Sequence, residues 1–147
     1  MLYLQGNITE QSCAVSGGGD NQTIKLGEWN LRQLQGSAGR TTEARDFGIS
    51  LENCPSGLVS VSFTGTQAEG NPDLLAAGGG QDEAKNIAIQ LMDNDRSPLA
   101  LNTWSRKVAV KTDGTVVLKF YARYITLTSA ITAGEADGQA SFTLAYN

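Results

Sequence analysis

Apolar and polar residues alternate along most of the chain, which is the pattern of β-strands with one buried face. The clearest case is the end of the sequence, residues 134–147, where the two kinds of side chain fall on opposite faces. The apolar face consists of Ala140, Phe142, Leu144 and Tyr146. Chain ends usually fray, so a terminal segment with this pattern is expected to be held by a sheet or by a partner. We therefore treat it as a candidate binding element.

The same alternation predicts further strands along the chain. They fall at residues 2–8, 24–26, 47–51, 59–63, 87–91 and 118–124. No window shows an apolar stripe at helical spacing, and residues 71–78 are predicted to be a loop because they are too short for a stable helix. Asp113 and Gly114 predict a hairpin turn. The fold is therefore predicted to be all-β, with an immunoglobulin-like two-sheet sandwich favoured over a barrel.

Composition narrows the possible functions. The 147 residues are 40% hydrophobic, which is enough for the core of one domain spanning residues 1–147. The net charge is -4, with 11 scattered basic residues against 15 acidic ones, so a nucleic-acid partner is not expected. No apolar run is long enough to span a membrane. Histidine is absent, which removes the commonest general base and the imidazole metal ligand. We predict no catalytic residues and no cofactor.

Two cysteines, Cys13 and Cys54, lie far apart and form no CxxC motif, so neither a redox motif nor a zinc site is indicated. A disulfide between them is favoured over two buried free thiols, and it would imply an oxidising compartment. Asp93 and Asp95 suggest calcium ligands, but their loop lacks the glycine and the closing glutamate of an EF-hand. A solvated turn is favoured there, and no metal site is predicted.

Several blocks, taken in order, resemble one known family. Gly6 to Cys13 is similar to the family's glycine-to-cysteine segment, and residues 47–54 are similar to its second-cysteine strand. Residues 23–27, 61–65, 86–93 and 120–124 match further blocks. The closing motif has Gly134 fourteenth from the end and Tyr146 next to last. On these residues the chain resembles the pilin subunits of chaperone-usher fimbriae of Gram-negative bacteria, in particular type 1-like pilins.

The resemblance implies an immunoglobulin-like sandwich that lacks its seventh strand and is completed by a donated strand. The terminal strand would form the edge of the acceptor groove, through Gly134, Ala140, Phe142, Leu144, Tyr146 and Asn147. In the family a periplasmic chaperone first supplies the missing strand, and the N-terminal extension of the next subunit then replaces it. An open groove of this kind would invite aggregation.

Residues 1–9 would then be the remnant of a donor segment leading into the first strand. Its inward face would consist of Leu2, Leu4, Gly6 and Ile8. Family members carry a longer extension ahead of the segment that matches Met1, so we expect this chain to accept a donated strand but to donate poorly. Gly6 fits two interpretations equally well, as a β-bulge glycine or as a residue that permits close approach to the acceptor groove.

The function that the resemblance implies is that of a structural fimbrial subunit that supports cell adhesion. Its partners would be a periplasmic chaperone, an outer-membrane usher and neighbouring pilins. It would reach an extracellular fimbria through the periplasm, after removal of a signal peptide. An alternative is a carbohydrate-binding adhesin or tip adaptor, for which Tyr3, Trp29 and Trp104 are the candidate aromatic residues. Without the resemblance, the apolar face of the terminal strand would be interpreted as ordinary core.

Overall fold

Two β-sheets face each other across an apolar core in the computed structural model, which describes residues 1–7, 13–16 and 21–146. The strands are β1 (Leu2–Asn7), β2 (Ala14–Val15), β3 (Asn21–Ile24), β4 (Arg45–Glu52), β5 (Leu58–Gly65), β6 (Gln67–Ala68), β7 (Asn71–Ala76), β8 (Ile87–Met92), β9 (Val108–Ala109), β10 (Val116–Thr126) and β11 (Gly138–Tyr146). The first sheet has the order β3-β1-β11-β5-β9, and the second has the order β2-β4-β10-β8-β7-β6. The predicted all-β sandwich is confirmed.

Phenylalanine rings from both sheets meet at the centre of the core. Phe47 on β4 and Phe120 on β10 come from the second sheet, and Phe63 on β5 comes from the first. Their ring centroids lie between 5.0 and 6.1 Å apart. Offset and edge-on ring pairs each contribute about 0.5–1.5 kcal/mol beyond their area burial. These rings hold the two sheets face to face.

The prediction of a loop at residues 71–78 is wrong, because β7 occupies most of that segment. β7 pairs with β8 through Leu75 and Ile89. Leu75 belongs to the main core, whereas Leu74 packs with Ala68 and Ala88 in a separate small apolar cluster. Both leucines are therefore buried although they are consecutive in sequence. A strand that is buried on both faces has no alternating pattern, so the period-2 signal was missing.

A single helical turn, α1 (Leu31–Leu34), was not predicted. It is stabilised by a capping box, in which Asn30 and Gln33 satisfy each other's backbone N–H groups, and Leu34 anchors it in the core. The strand predicted at residues 24–26 is displaced towards the N-terminus, because β3 ends at Ile24. Both differences concern short elements near the start of the chain.

The turn predicted at Asp113 and Gly114 is present, but the strands on its two sides do not pair with each other as a hairpin. Gly114 has a φ of 82°, and the Asp113 carboxylate accepts hydrogen bonds from the backbone N–H and the hydroxyl of Thr115. The preceding strand, β9, pairs with β5 in the first sheet, while the following strand, β10, pairs with β4 and β8 in the second. The turn therefore crosses from one sheet to the other.

Cys13 and Cys54 form the favoured disulfide, which joins the residue before β2 to the loop after β4. Asp93 is buried, and its carboxylate accepts hydrogen bonds from the backbone N–H groups of Asn94 and Arg106. Among the described residues, no group of three or more acidic, cysteine or histidine side chains is placed to hold a metal ion. Within the same residues, no helix has the length and apolar character needed to cross a membrane.

Candidate functional site

The terminal strand β11 lies between β5 and the N-terminal strand β1. β5 runs antiparallel to β11, whereas β1 runs parallel to it, with Leu2 opposite Gly138 and Leu4 opposite Ala140. β1 also pairs antiparallel with β3 on its other side. The position that the resemblance leaves for a donated strand is thus occupied by the chain's own N-terminal segment. The expected groove is not open in this structure.

The side chains between β1 and β11 are as deeply buried as those in the rest of the core. Leu2 and Phe142 are fully buried, with relative exposures of 0%, and Leu4 and Ala140 are also buried. Full burial of a leucine side chain contributes about 1.5–3 kcal/mol relative to leaving it exposed. The alternation in β1 points both leucines into the sandwich, and this explains why β1 occupies this position.

Gly6 lies directly over the ring of Phe142, its partner in the register. A Cβ atom added to Gly6 would approach the Phe142 Cζ atom to 2.4 Å, which is far inside van der Waals contact. The pairing continues without a shift from Leu4 to Asn7, so Gly6 is not a bulge. Of the two interpretations of this glycine, the structure favours close approach. A side chain at position 6 would therefore overlap the fully buried ring of Phe142.

At its carboxyl end, β11 pairs with β5 up to Tyr146, and its pairing with β1 is described from Gly138 to Thr143. The Tyr146 hydroxyl donates hydrogen bonds to the backbone carbonyls of Pro55 and Ser56, just after the disulfide. Leu144 is buried. Two of the predicted site residues, Ile8 and Asn147, lie outside the described residues.

A pocket of about 520 Å³ opens at the amino end of β11, and we call it the amino-end pocket. Its apolar wall includes Trp29, Leu31, Leu34, Ile87 and Ile131, and its polar lining includes Tyr3, Glu28, Tyr124, Gly134, Glu135 and Asp137. Gly134 has a φ of 151°, and a Cβ there would meet the backbone of Glu83 and Ala84 at 2.6 Å. This glycine lets two loops cross closely beside the pocket.

The ammonium group of Met1 lies in the amino-end pocket. It donates hydrogen bonds to the Tyr124 hydroxyl and to the Ala136 carbonyl, the latter at 3.0 Å, and it forms an ion pair with Asp137 at 3.2 Å. The Tyr124 hydroxyl in turn donates to the Ala136 carbonyl at 2.8 Å. Burial and the negative charge of Asp137 raise the pKa of Tyr124 to about 12. The hydroxyl therefore stays protonated at neutral pH and can donate to the Ala136 carbonyl.

The three aromatic residues considered for a carbohydrate site do not come together. Tyr3 and Trp29 line the amino-end pocket, whereas Trp104 pairs with Ser62 on the other side of β5 and is 52% exposed. Sequence reasoning also missed the pocket itself. Its one available signal was Tyr124, the last aromatic residue on the inward face of β10, because a buried tyrosine hydroxyl needs a polar partner.

Comparison with known proteins agrees with this geometry. The family model described as "Fimbrial protein" matches residues 2–147. The fimbrial-like protein FimF of Salmonella typhimurium is 38% identical over 146 residues, covering 99% of this chain and 83% of that protein. The P pilus rod subunit PapA has a crystal structure that is 25% identical and superimposes with a TM-score of 0.77, covering 92% of this chain and 99% of PapA.

A subunit in the structure of a chaperone-usher pilus is also 25% identical, with a TM-score of 0.74 over 97% of this chain and 92% of that one. The fold is thus that of pilus subunits. The chain belongs to the fimbrial protein family.

Proposed function

We propose that this chain is a structural subunit of a chaperone-usher fimbria and that it polymerises by donor-strand exchange, in support of cell adhesion. The main observation in support of this proposal is that β1 pairs with β11. β1 has alternating apolar residues and a glycine over Phe142, and it is a six-residue strand at one end of the sequence. Its departure would break its pairing with β11 on one side and with β3 on the other, and a strand of the same pattern can restore both.

The departure of β1 would expose the apolar face of β11. Ala140 and Phe142 would lose their cover, and Leu2 and Leu4 would enter water, at about 1.5–3 kcal/mol for each large apolar side chain. A replacing strand must therefore carry equivalent apolar residues. We infer that a periplasmic chaperone covers this face first, that an outer-membrane usher directs assembly, and that a neighbouring subunit supplies the final strand.

The proposal makes the carboxyl end of β11 the edge that the chaperone recognises. Leu144 and Tyr146 are the last two residues of its inward-facing row, and β5 covers their other edge through Val61 and Val59. Removing residues 144–147 is expected to abolish co-purification with the chaperone. Retention of the chaperone by the shortened chain would contradict this assignment.

Strand exchange is tested with a synthetic peptide that has alternating apolar residues and a glycine at the Gly6 position. Binding to the folded state alone raises the melting temperature by mass action, so the peptide is expected to raise it and to co-elute with the protein. A scrambled peptide of the same composition is the control. A protein that is indifferent to both peptides at saturating concentration would show that β1 is a permanent strand, and the exchange mechanism would be wrong.

A further inference from the structure

The outer face of the first sheet carries no charged side chain along β3, β1, β11 and β5, in the part of the chain that the structure describes. The outward positions of these strands are serine, threonine, asparagine, glutamine, tyrosine, alanine or leucine. The outer face of the second sheet differs, since it presents Asp46, Lys119 and Arg123. Charged residues make up 18% of the chain, so their absence from four neighbouring strands is a specific feature of this face.

Two cross-strand rows of this face line a pocket of about 440 Å³, which we call the outer-face pocket. One row has one residue from each of the four neighbouring strands, in the order Asn21, Gln5, Ser141 and Thr64. The other row places Tyr3, which is 39% exposed, beside Gln139. The lining of the pocket therefore consists mainly of amide and hydroxyl groups, with one aromatic residue among them.

The polar groups of the outer-face pocket are available to a ligand. Within the described ranges, the side chains of Gln5, Gln139 and Ser141 have no hydrogen-bond partner in the protein. An amide group both donates and accepts hydrogen bonds, and so does a hydroxyl. Each hydroxyl of a saccharide also does both, so it can pair with either kind of group. A charged ligand would lose hydration without gaining an ion pair, because no charged residue lines this pocket.

Tyr3 adds an aromatic surface to these polar groups. A tyrosine ring can cover the C–H face of a pyranose ring while its hydroxyl remains in water. Of the three aromatic residues considered for a carbohydrate site, Tyr3 is the one that lines this pocket. A protein partner fits the face less well, because the centre of a protein interface is apolar and poor in serine. The centre of this face is formed by serine, threonine and glutamine.

We propose that the outer-face pocket binds a neutral saccharide, through hydrogen bonds to Gln5, Gln139 and Ser141 and through contact of a sugar ring with Tyr3. The inference goes beyond the proposed function and does not depend on strand exchange. Tyr3 and Gln5 belong to β1, so the pocket is complete in the chain whose β1 pairs with its own β11. A subunit with this site would contribute to adhesion through its own surface.

The test is a nuclear magnetic resonance titration of the isotopically labelled chain. The neutral probes are lactose, maltose and N,N′-diacetylchitobiose, and sialyllactose is the charged counterpart of lactose. We expect at least one neutral probe to shift the backbone amide signals of Gln5, Gln139 and Ser141, with a dissociation constant of about 0.1–1 mM. Sialyllactose is expected to bind no more tightly than lactose, because the pocket offers its carboxylate no cation.

Variants then assign the binding to this pocket. Tyr3→Ala is expected to weaken binding about five- to tenfold, whereas Tyr3→Phe, which keeps the ring, should change it less than about twofold. Trp104→Ala is the matched control, because Trp104 is also an exposed aromatic residue but does not line the pocket. Gln139→Ala changes β11 without altering β1, and it should weaken binding about threefold or more.

Three results would each overturn the proposal. The first is that no neutral probe shifts the amide signals of the pocket at about 20 mM, well above the expected dissociation constant. The second is that sialyllactose binds more tightly than every neutral probe. The third is that the same signals shift with protein concentration alone and not with saccharide, which would make this face an interface between copies of the chain.

Discussion

Replacing Gly6 with alanine tests whether β1 lies over Phe142. The added Cβ would sit 2.4 Å from Cζ of the ring, 2.8 Å from Cε1 and 3.0 Å from Cε2. Phe142 is fully buried, so the ring cannot move without displacing its neighbours. Overpacking of this kind costs about 1–3 kcal/mol, and the better strand propensity of alanine offsets about 0.5–1 kcal/mol. We expect Gly6→Ala to lower the free energy of unfolding by about 1–2 kcal/mol.

The measurement is urea-induced unfolding with the disulfide intact. Thermal unfolding should agree, because about 1 kcal/mol corresponds to about 2–4 °C in a protein of this size. Gly48→Ala is the matched control, because this glycine is also in a strand but its added Cβ would meet nothing closer than Val117 Cγ1, at 3.5 Å. We expect that variant to be unchanged or slightly more stable.

A double-mutant cycle then isolates the contact. Phe142→Leu removes the three ring atoms that the new Cβ would meet, so the double variant should be more stable than the sum of the single effects by about 1 kcal/mol. Strict additivity, or a Gly6→Ala variant as stable as Gly48→Ala, would show that Gly6 does not face this ring, and the observed register would then be wrong.

Three further predictions concern the anchors of the strand ends. Tyr146→Phe, which removes the hydroxyl bound to two carbonyls of the loop after β4, should lower the free energy of unfolding by about 0.5–1.5 kcal/mol in urea, and an unchanged midpoint would contradict the contact. Replacing Cys13 and Cys54 together with alanine should lower the free energy of unfolding by about 4 kcal/mol, on the chain-entropy model for their separation of 41 residues. Thiol titration of the parent, unfolded but not reduced, should find no free thiol. The pKa of Tyr124 is raised from its ordinary value near 10 to about 12, so its contribution to stability is present below pH 10 and is lost as the pH rises through 12. The stability difference between the parent and Tyr124→Phe should shrink by about 1–2 kcal/mol over that range, less than the full shift because the hydroxyl faces the pocket and is screened by solvent, and a constant difference would refute the shift.

Strands with one buried face could be predicted from the sequence because their pattern is local. β10 and β11 alternate over their whole lengths, so Phe120 and Phe142 were placed on inward faces without knowledge of their neighbours. β7 could not be predicted in this way, because Leu74 and Leu75 are buried in different clusters. Periodicity reports the environment of a strand and fails where both faces are covered.

The partner of a strand is not a local property. The alternation at Leu2 and Leu4 predicts a buried face, but it does not specify which strand covers that face or in which direction. The resemblance led to the expectation that another chain would fill the groove, whereas the structure pairs β1 with β11 of the same chain. The amino-end pocket was missed for the same reason, since Trp29, Tyr124 and Asp137 come together only through the arrangement of both sheets.

The pairing of β1 with β11 has a consequence for how fast the molecule folds. These strands are the first and last of the chain, and the Met1 to Ala136 hydrogen bond beside them joins residues 135 positions apart. Contacts of such large sequence separation form late, because the entropy of closing the loop is lost before the contact is gained. While the chain folds, Leu2 and Leu4 therefore stay uncovered until β11 is in place. During that interval another strand can compete for the place beside β11.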